Sequence, residues 1–257
     1  MVRHFLDVEG AATLPTDSLL MVERAVSDLL AVQAMGTVHG PAGLGKTYAV
    51  EQALTRAVVD GRAGRAPCWV KFPSRPTMRL VAADLLAELT RVPTGRGNRF
   101  VLTEQLVEEL APLPGGGGHV VVVDEAQSLN TECIEYLRYL HDHRATRFAL
   151  LLVGGDGTWK VLSREPMLRS RIYRRVSVEP LTPAEVVRFI PTYHALYDGV
   201  DAELLLLVDD HFAHGNLRHW AAFTRTAAAL CAATGADRVD ETVARNAFTL
   251  HGGGVSA

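Results

Sequence analysis

Residues 40–47 read Gly-Pro-Ala-Gly-Leu-Gly-Lys-Thr, and no other stretch constrains the fold of this chain as strongly. The pattern G-x-x-x-x-G-K-[ST] carries chemistry only as a turn between a strand and a helix. Both neighbours are legible: Thr37-Val38-His39 reads as a short strand, and Lys46 to Val59 as a helix. Glycines let backbone N–H groups turn inward around an anion, and the helix directs its positive N-terminal end at the same place. Gly40, Pro41, Ala42, Gly43, Leu44, Gly45, Lys46 and Thr47 are therefore candidate phosphate-binding residues. Lys46 would reach the β and γ phosphates of a nucleotide, and the Thr47 hydroxyl would hold Mg2+.

The rest of the chain has the matching rhythm. Strands are predicted at Cys68 to Phe72, His119 to Val123 and Phe148 to Val153, with helices at Thr16 to Met35, Arg79 to Leu89, Glu104 to Leu110 and Cys133 to His141. Strands alternating with helices imply an α/β fold with a parallel sheet covered on both faces, and near-continuous apolar strands fit that burial. After about Pro180 the strands stop, and four helices are predicted near Pro183 to Tyr197, Ala202 to Phe212, Leu217 to Ala233 and Arg238 to Leu250. Thr182-Pro183-Ala184-Glu185 is a capping box with proline at the first helical position. The expected organisation is a nucleotide-binding α/β domain over 1–180 and a small all-α domain over 181–257.

At 48% hydrophobic and 21% charged, the 257 residues suit a packed core and exclude a disordered or fibrous chain. The longest apolar runs, such as Phe148 to Val153, fall far short of the ~18 residues of a membrane span. Asp7 and Glu9 stand where a signal peptide needs an apolar stretch. Cys68, Cys133 and Cys231 form no pairable framework. These features point to a reducing, cytoplasmic setting.

A second motif supports the first. Val120 to Val123 is an apolar strand that delivers Asp124 and Glu125 at its C-terminal end, the edge where open α/β sheets bind ligands. Asp124 would take Mg2+, and Glu125 would polarise an attacking water.

On these residues the chain resembles the AAA+ ATPases, from about Thr16 to Leu250. The resemblance implies a P-loop core followed by a helical lid, with ATP and Mg2+ as cofactors. Leu168-Arg169-Ser170-Arg171-Ile172 resembles the Ser-Arg box of clamp-loader-like members. It implies that Arg171 reaches a neighbouring subunit's γ-phosphate, with Arg169 as runner-up. Gly215-Asn216-Leu217-Arg218 resembles the sensor 2 motif, which assigns Arg218 to the nucleotide. One family feature is missing. The strand after the Asp-Glu strand usually ends in a polar residue, but here Phe148 to Val153 runs into Gly154-Gly155-Asp156. Gly155 occupies that position, only Asp156 offers a side chain, and slow hydrolysis is expected.

The finer resemblance is to the transposition ATPases TnsC, TniB and MuB. It rests on Asp124-Glu125-Ala126-Gln127-Ser128-Leu129, on Leu152-Val153-Gly154, and on Glu179-Pro180-Leu181-Thr182 after the Ser-Arg box. No helix-turn-helix region of the kind MuB carries is read before the ATPase core, and in that respect the chain looks more like the short TnsC of CRISPR-associated transposons. This resemblance implies a regulator that assembles with ATP on duplex DNA, as a hexameric ring or helical filament of its own copies, and recruits or activates a transposase. The same pattern is shared with ExeA-type ATPases. An ExeA- or STAND-like ATPase acting on proteins, or a loader resembling DnaC and IstB, are the alternatives.

The formal net charge of −3 conceals a segregated distribution. From Arg62 to Arg99 there are eight basic residues (Arg62, Arg65, Lys71, Arg75, Arg79, Arg91, Arg96, Arg99) against Asp84 and Glu88, a local charge of +6. Lys160 to Arg175 carries +5, and Glu179 to His214 carries −6. A basic stripe binds phosphates whatever the total charge. Relatives that encircle DNA face it with the region after the second strand, so Lys71, Ser74, Arg75, Thr77 and Arg79 are the candidate contacts to the DNA backbone. Arg96 and Arg99 are a second line. Such contacts carry no base code, so binding is expected to be sequence-independent and salt-sensitive. No membrane partner is expected.

Overall fold

The computed structural model describes residues 5–61, 66–93, 97–113 and 118–252. Arg62, Arg65 and Arg96 of the basic segment lie outside the described residues, as do Gly115 to Gly117 and Gly253-Gly254. The elements run α1 (Asp17–Val32), β1 (Met35–His39), α2 (Lys46–Val59), β2 (Cys68–Lys71), α3 (Met78–Thr90), α4 (Arg99–Glu109), β3 (His119–Asp124), α5 (Thr131–Asp142), β4 (Phe148–Gly154), α6 (Gly157–Leu162), α7 (Pro166–Arg169) and β5 (Ile172–Ser177). Then come α8 (Pro183–Phe189), α9 (Ala202–Val208), α10 (Leu217–Thr234) and α11 (Glu241–Leu250). By contacts the chain divides into two compact units, Met21–Gly40 with Ala49–Val178, and Met1–Leu20 with Pro41–Tyr48 and Glu179–Ala257. The glycine-rich turn thus groups with the C-terminal helices, a grouping that a single cut at 180 does not contain.

The first unit is built on a parallel sheet in the order β2-β3-β4-β1-β5. Period-two alternation sends Val121, Val123, Leu150 and Leu152 to one face, where they join Val81 and Leu85 of α3, Leu102 and Leu106 of α4, and Ile134 and Leu137 of α5 in one core. Leu29 of α1 covers Gly36 of β1 so closely that a Cβ there would lie 2.4 Å from its Cδ1. Even the polar strand residue is matched: the buried Thr37 hydroxyl donates to the Leu152 carbonyl at 2.9 Å.

Register decides what reaches the C-terminal edge of the sheet. Lys71 pairs with Asp124, and His39 pairs with both Gly154 and Ser177. Lys71, Asp124, Gly154 and the start of the glycine-rich turn therefore share one edge.

The second unit packs a core around Trp220, Tyr197 and Phe223. The Tyr197 and Trp220 rings meet edge to face at 5.8 Å, and the Tyr197 hydroxyl bonds the Thr224 hydroxyl at 2.7 Å. The box at Thr182 forms as the sequence predicts, with Glu185 returning to the Thr182 N–H at 2.8 Å.

Among the departures from the sequence expectations, the helix expected to reach Met35 ends at Val32, with Met35 opening β1, and three others bear on the site and the second unit. Ile172–Ser177 is a strand, although Arg174-Arg175 interrupts its apolar pattern; parallel pairing with β1 holds it in the sheet while only Val176 is buried. The helix expected over Pro183 to Tyr197 stops at Phe189, because Pro191 has no N–H to continue it. The helix expected through Phe212 ends at Val208 and gives way to a π-helical turn, Asp209–Ala213.

Candidate nucleotide-binding and hydrolysis site

In the second unit the turn has the shape its glycines allow. Gly43 (φ 85°) and Gly45 (φ 77°) lie in the left-handed region on either side of Leu44, the alternation that turns successive N–H groups toward one concavity. Lys46 opens α2 and its ammonium donates to the Pro41 carbonyl at 2.6 Å; Thr47 is exposed on the first helical turn.

This turn is held by the segment that opens α10. Asn216 caps that helix, its Oδ1 accepting from the N–H groups of Arg218 (3.0 Å) and His219 (3.4 Å). Its Nδ2 donates to the Ala42 carbonyl at 2.8 Å, and the Arg218 N–H also donates to the Gly43 carbonyl at 2.9 Å. A Cβ on Gly43 would lie 2.4 Å from Asn216 Oδ1, so glycine there serves the close approach of Asn216 as well as the backbone angle. The Arg218 side chain is exposed. The segment is pinned in turn by Asp209, a carboxylate only 8% exposed, whose Oδ1 accepts from the Gly215 N–H at 2.7 Å and from Trp220 Nε1 at 3.0 Å. The sequence pattern flagged Arg218; Asn216 and Asp209 were missed, although an Asn before an apolar helical run is a capping signal.

In the first unit, Asp124 ends β3 with its Oδ1 accepting from the Glu125 N–H at 2.8 Å. Burial raises the Glu51 carboxyl above its ordinary range, and the charge of Asp124 adds to the rise. A carboxylate at the end of β3 suits Mg2+, which keeps most of its waters and takes few protein ligands. Among the described residues no group of three or more His, Cys, Asp or Glu is placed to bind a metal by itself.

Glu125 has left-handed backbone angles (φ 53°, ψ 42°), uncommon outside glycine and a frequent mark of functional positions. Its carboxylate is held from two sides. Lys71 Nζ lies 3.5 Å from Oε1, and the Gln127 amide donates to Oε2. Asp156, the side chain expected to stand at the end of β4, is exposed and makes no cap bond to α6.

Arg171 is tied within its own unit: its Nε lies 2.7 Å from Asp142 Oδ2. Arg169 is exposed. Lys71, Ser74, Arg75, Thr77 and Arg79 are all exposed. Thr77 caps α3, accepting from the Leu80 N–H at 3.2 Å, and Arg79 Nε donates to the Gly97 carbonyl at 2.9 Å. The loop between β2 and α3 is anchored throughout: the Ser128 hydroxyl donates to the Phe72 carbonyl, the Arg75 N–H to the Ser128 carbonyl, and Asn130 Nδ2 to the Pro76 carbonyl. Arg75 itself has φ 53°. The residues after Asp124-Glu125 thus shape the basic loop.

No helix among the described residues is long and apolar enough to cross a membrane. Comparison with curated proteins finds no match. Among solved structures, the chain is similar to the Aeropyrum pernix Orc1 protein determined in complex with DNA (TM-score 0.67, 19% identity), covering 94% of this chain and 66% of that one. It is also similar to Cdc6p from Pyrobaculum aerophilum (TM-score 0.71, 17% identity, 95% and 69% covered). A third is the Thermotoga maritima RuvB Holliday junction branch migration motor (TM-score 0.60, 17% identity, 95% and 72% covered). The chain spans just under two thirds of that Orc1 chain. At these identities the likeness is one of fold. A family model described as AAA domain matches residues 31–162, more than half of the chain, and the chain belongs to this family of ATPases.

Proposed function

We infer that this ATPase works on duplex DNA as an assembly of its own copies, with ATP and Mg2+ bound at the P-loop and at Asp124, and that it regulates transposition by recruiting or activating a transposase. The observation that carries the DNA reading is the contact between Lys71 and Glu125. Lys71 stands at the root of the exposed loop bearing Ser74, Arg75, Thr77 and Arg79, and its ammonium rests on the carboxylate assigned to polarise water. A DNA phosphate that draws Lys71 away alters the charge next to Glu125, so binding and hydrolysis are coupled. Slow turnover, stimulated by DNA, follows from this arrangement. Arg171 of one copy, with Arg169 as the alternative, would neutralise charge on the γ-phosphoryl group of the next, and Arg218 would contact the nucleotide on its own chain.

The fold and two of the similar structures support this reading, since one is an Orc1 protein in complex with DNA and another is a branch migration motor. The transposase partner rests on the signature around Asp124 to Leu129 and on the Ser-Arg box.

The test is electron microscopy of the full chain with duplex DNA and a non-hydrolysable ATP analogue. DNA-dependent rings or filaments are expected for the parent and for Glu125→Gln, and are lost in Lys46→Ala. Lys71→Ala with Arg75→Ala should abolish DNA binding. Monomers at every protein and DNA concentration, or DNA binding unaltered in the double variant, overturn the reading and favour an ATPase acting on a protein partner.

A further inference from the structure

The end of β4 lacks the polar side chain expected there, yet the folded chain fills the gap from the turn after another strand. Gln127, in the short turn Ala126–Ser128 after β3, reaches across to the loop between β4 and α6. Its Oε1 accepts from the Gly155 N–H at 3.0 Å and from the Thr158 hydroxyl at 3.0 Å, and its Nε2 donates to Glu125 Oε2. The orientation of this amide is forced. A backbone N–H only donates, so the amide oxygen faces Gly155, and the NH2 group then faces a carboxylate that only accepts.

Space at the crossing is reserved for it. A Cβ on Gly154 would lie 2.2 Å from Gln127 Oε1 and 2.3 Å from Thr158 Oγ1. The Thr158 side chain is fully buried, and its hydroxyl donates because the Gln127 amide oxygen only accepts. Lys71, by contrast, is 63% exposed and 3.5 Å from Glu125, a weak and movable hold. Compared with Lys71, Gln127 is the anchored hold on Glu125.

We propose that Gln127 is the positioning residue that aims the Glu125 carboxylate, serving from the turn after β3 the task that a polar side chain at the end of β4 would serve. The inference rests on the reading of Glu125 as the group that polarises water. Gln127 touches neither nucleotide nor water in this role; it fixes one carboxylate oxygen and thereby the direction in which the carboxylate presents the other.

The experiment is steady-state ATP hydrolysis by the full chain with saturating duplex DNA, alongside binding of a fluorescent non-hydrolysable ATP analogue. Gln127→Met keeps the length of the side chain and removes its hydrogen bonds; kcat is expected to fall about tenfold or more, with KM and analogue affinity within about twofold of the parent. Thr158→Val should lower kcat in the same direction, and Thr158→Ser should restore it. Combining Gln127→Met with Thr158→Val should be no worse than Gln127→Met alone, because both act through one amide. Should Gln127→Met fail to fold, Thr158→Val and Thr158→Ser carry the test. A parental kcat in Gln127→Met while Glu125→Gln is silent overturns this inference alone. Hydrolysis at the parental rate in Glu125→Gln overturns the reading of Glu125 and this inference with it.

Discussion

The Arg171 guanidinium lies on the Asp142 carboxylate, with Nε 2.8 Å from Oδ1 and 2.7 Å from Oδ2, while its NH1 donates to the Met167 carbonyl at 3.1 Å. Asp142 closes α5 and also takes Arg138 at 2.9 Å. Burial pushes the Asp142 carboxyl up, but the hydrogen bonds and charges of Arg171 and Arg138 outweigh it and hold the group below the ordinary carboxylate range. The arginine assigned to a neighbouring nucleotide is thus already engaged within its own chain.

Releasing it exchanges stability for reach. Asp142→Ala is expected to lower the thermal midpoint slightly and to raise turnover of the DNA-bound assembly severalfold. Arg171→Ala should lower that turnover about tenfold or more, and Arg169→Ala should leave it within about twofold. The opposite ranking in a mixed-subunit hydrolysis assay would transfer the role to Arg169.

Lys71→Met tests the coupling between the basic loop and Glu125. The lost ion pair is exposed and contributes at most about 1 kcal/mol, so folding should be unaffected. Turnover without DNA should rise, and the stimulation by DNA should shrink. A variant that still needs DNA as strongly as the parent would break the proposed link.

Asn216→Ala removes a helix cap and the tie to the Ala42 carbonyl together. The cap alone is worth ~1 kcal/mol. Nucleotide affinity, measured by titration calorimetry, should weaken because the turn loses a point of attachment. Gly43→Ala should behave in the same way, since its added Cβ displaces Asn216.

Asp209→Ala strands two donors, the Gly215 N–H and the Trp220 indole N–H, in a buried site. Each unsatisfied group costs ~1–3 kcal/mol. A fall of several degrees in the thermal midpoint is expected, with Asp209→Asn less damaging because its amide oxygen still accepts.

His141 supplies a pH dependence. Its Nε2 bonds the Gln33 carbonyl at 3.1 Å, and burial, only partly offset by that bond and by the charge of Asp142, lowers its pKa below the ordinary histidine value. The fold therefore favours the neutral ring. Its contribution is complete above about pH 6.5, the unfolded value, and is lost as the pH falls from there through the folded pKa. His141→Gln keeps a donor for Gln33 and does not titrate. The thermal midpoint of this variant should fall less than the parent's between about pH 7 and pH 5.

Local residues settled much of this molecule. The octet at 40–47 carries its own turn geometry because glycine reaches backbone angles other residues avoid, and the valine run before Asp124 reads as a buried strand because parallel sheets are covered on both faces. The capping box at Thr182 is equally local, since its partners are three residues apart. Three-dimensional packing alone decided the rest. Ile172–Ser177 became a strand through pairing with β1, against its two arginines. Arg171 met Asp142, and Lys71 met Glu125, across separations at which periodicity carries no information. Gly154 and Gly155 look in sequence like a missing functional group. Packing brings Gln127 there from the turn after β3, because hydrogen bonds are satisfied by whatever side chain the fold delivers, whatever its place in the chain.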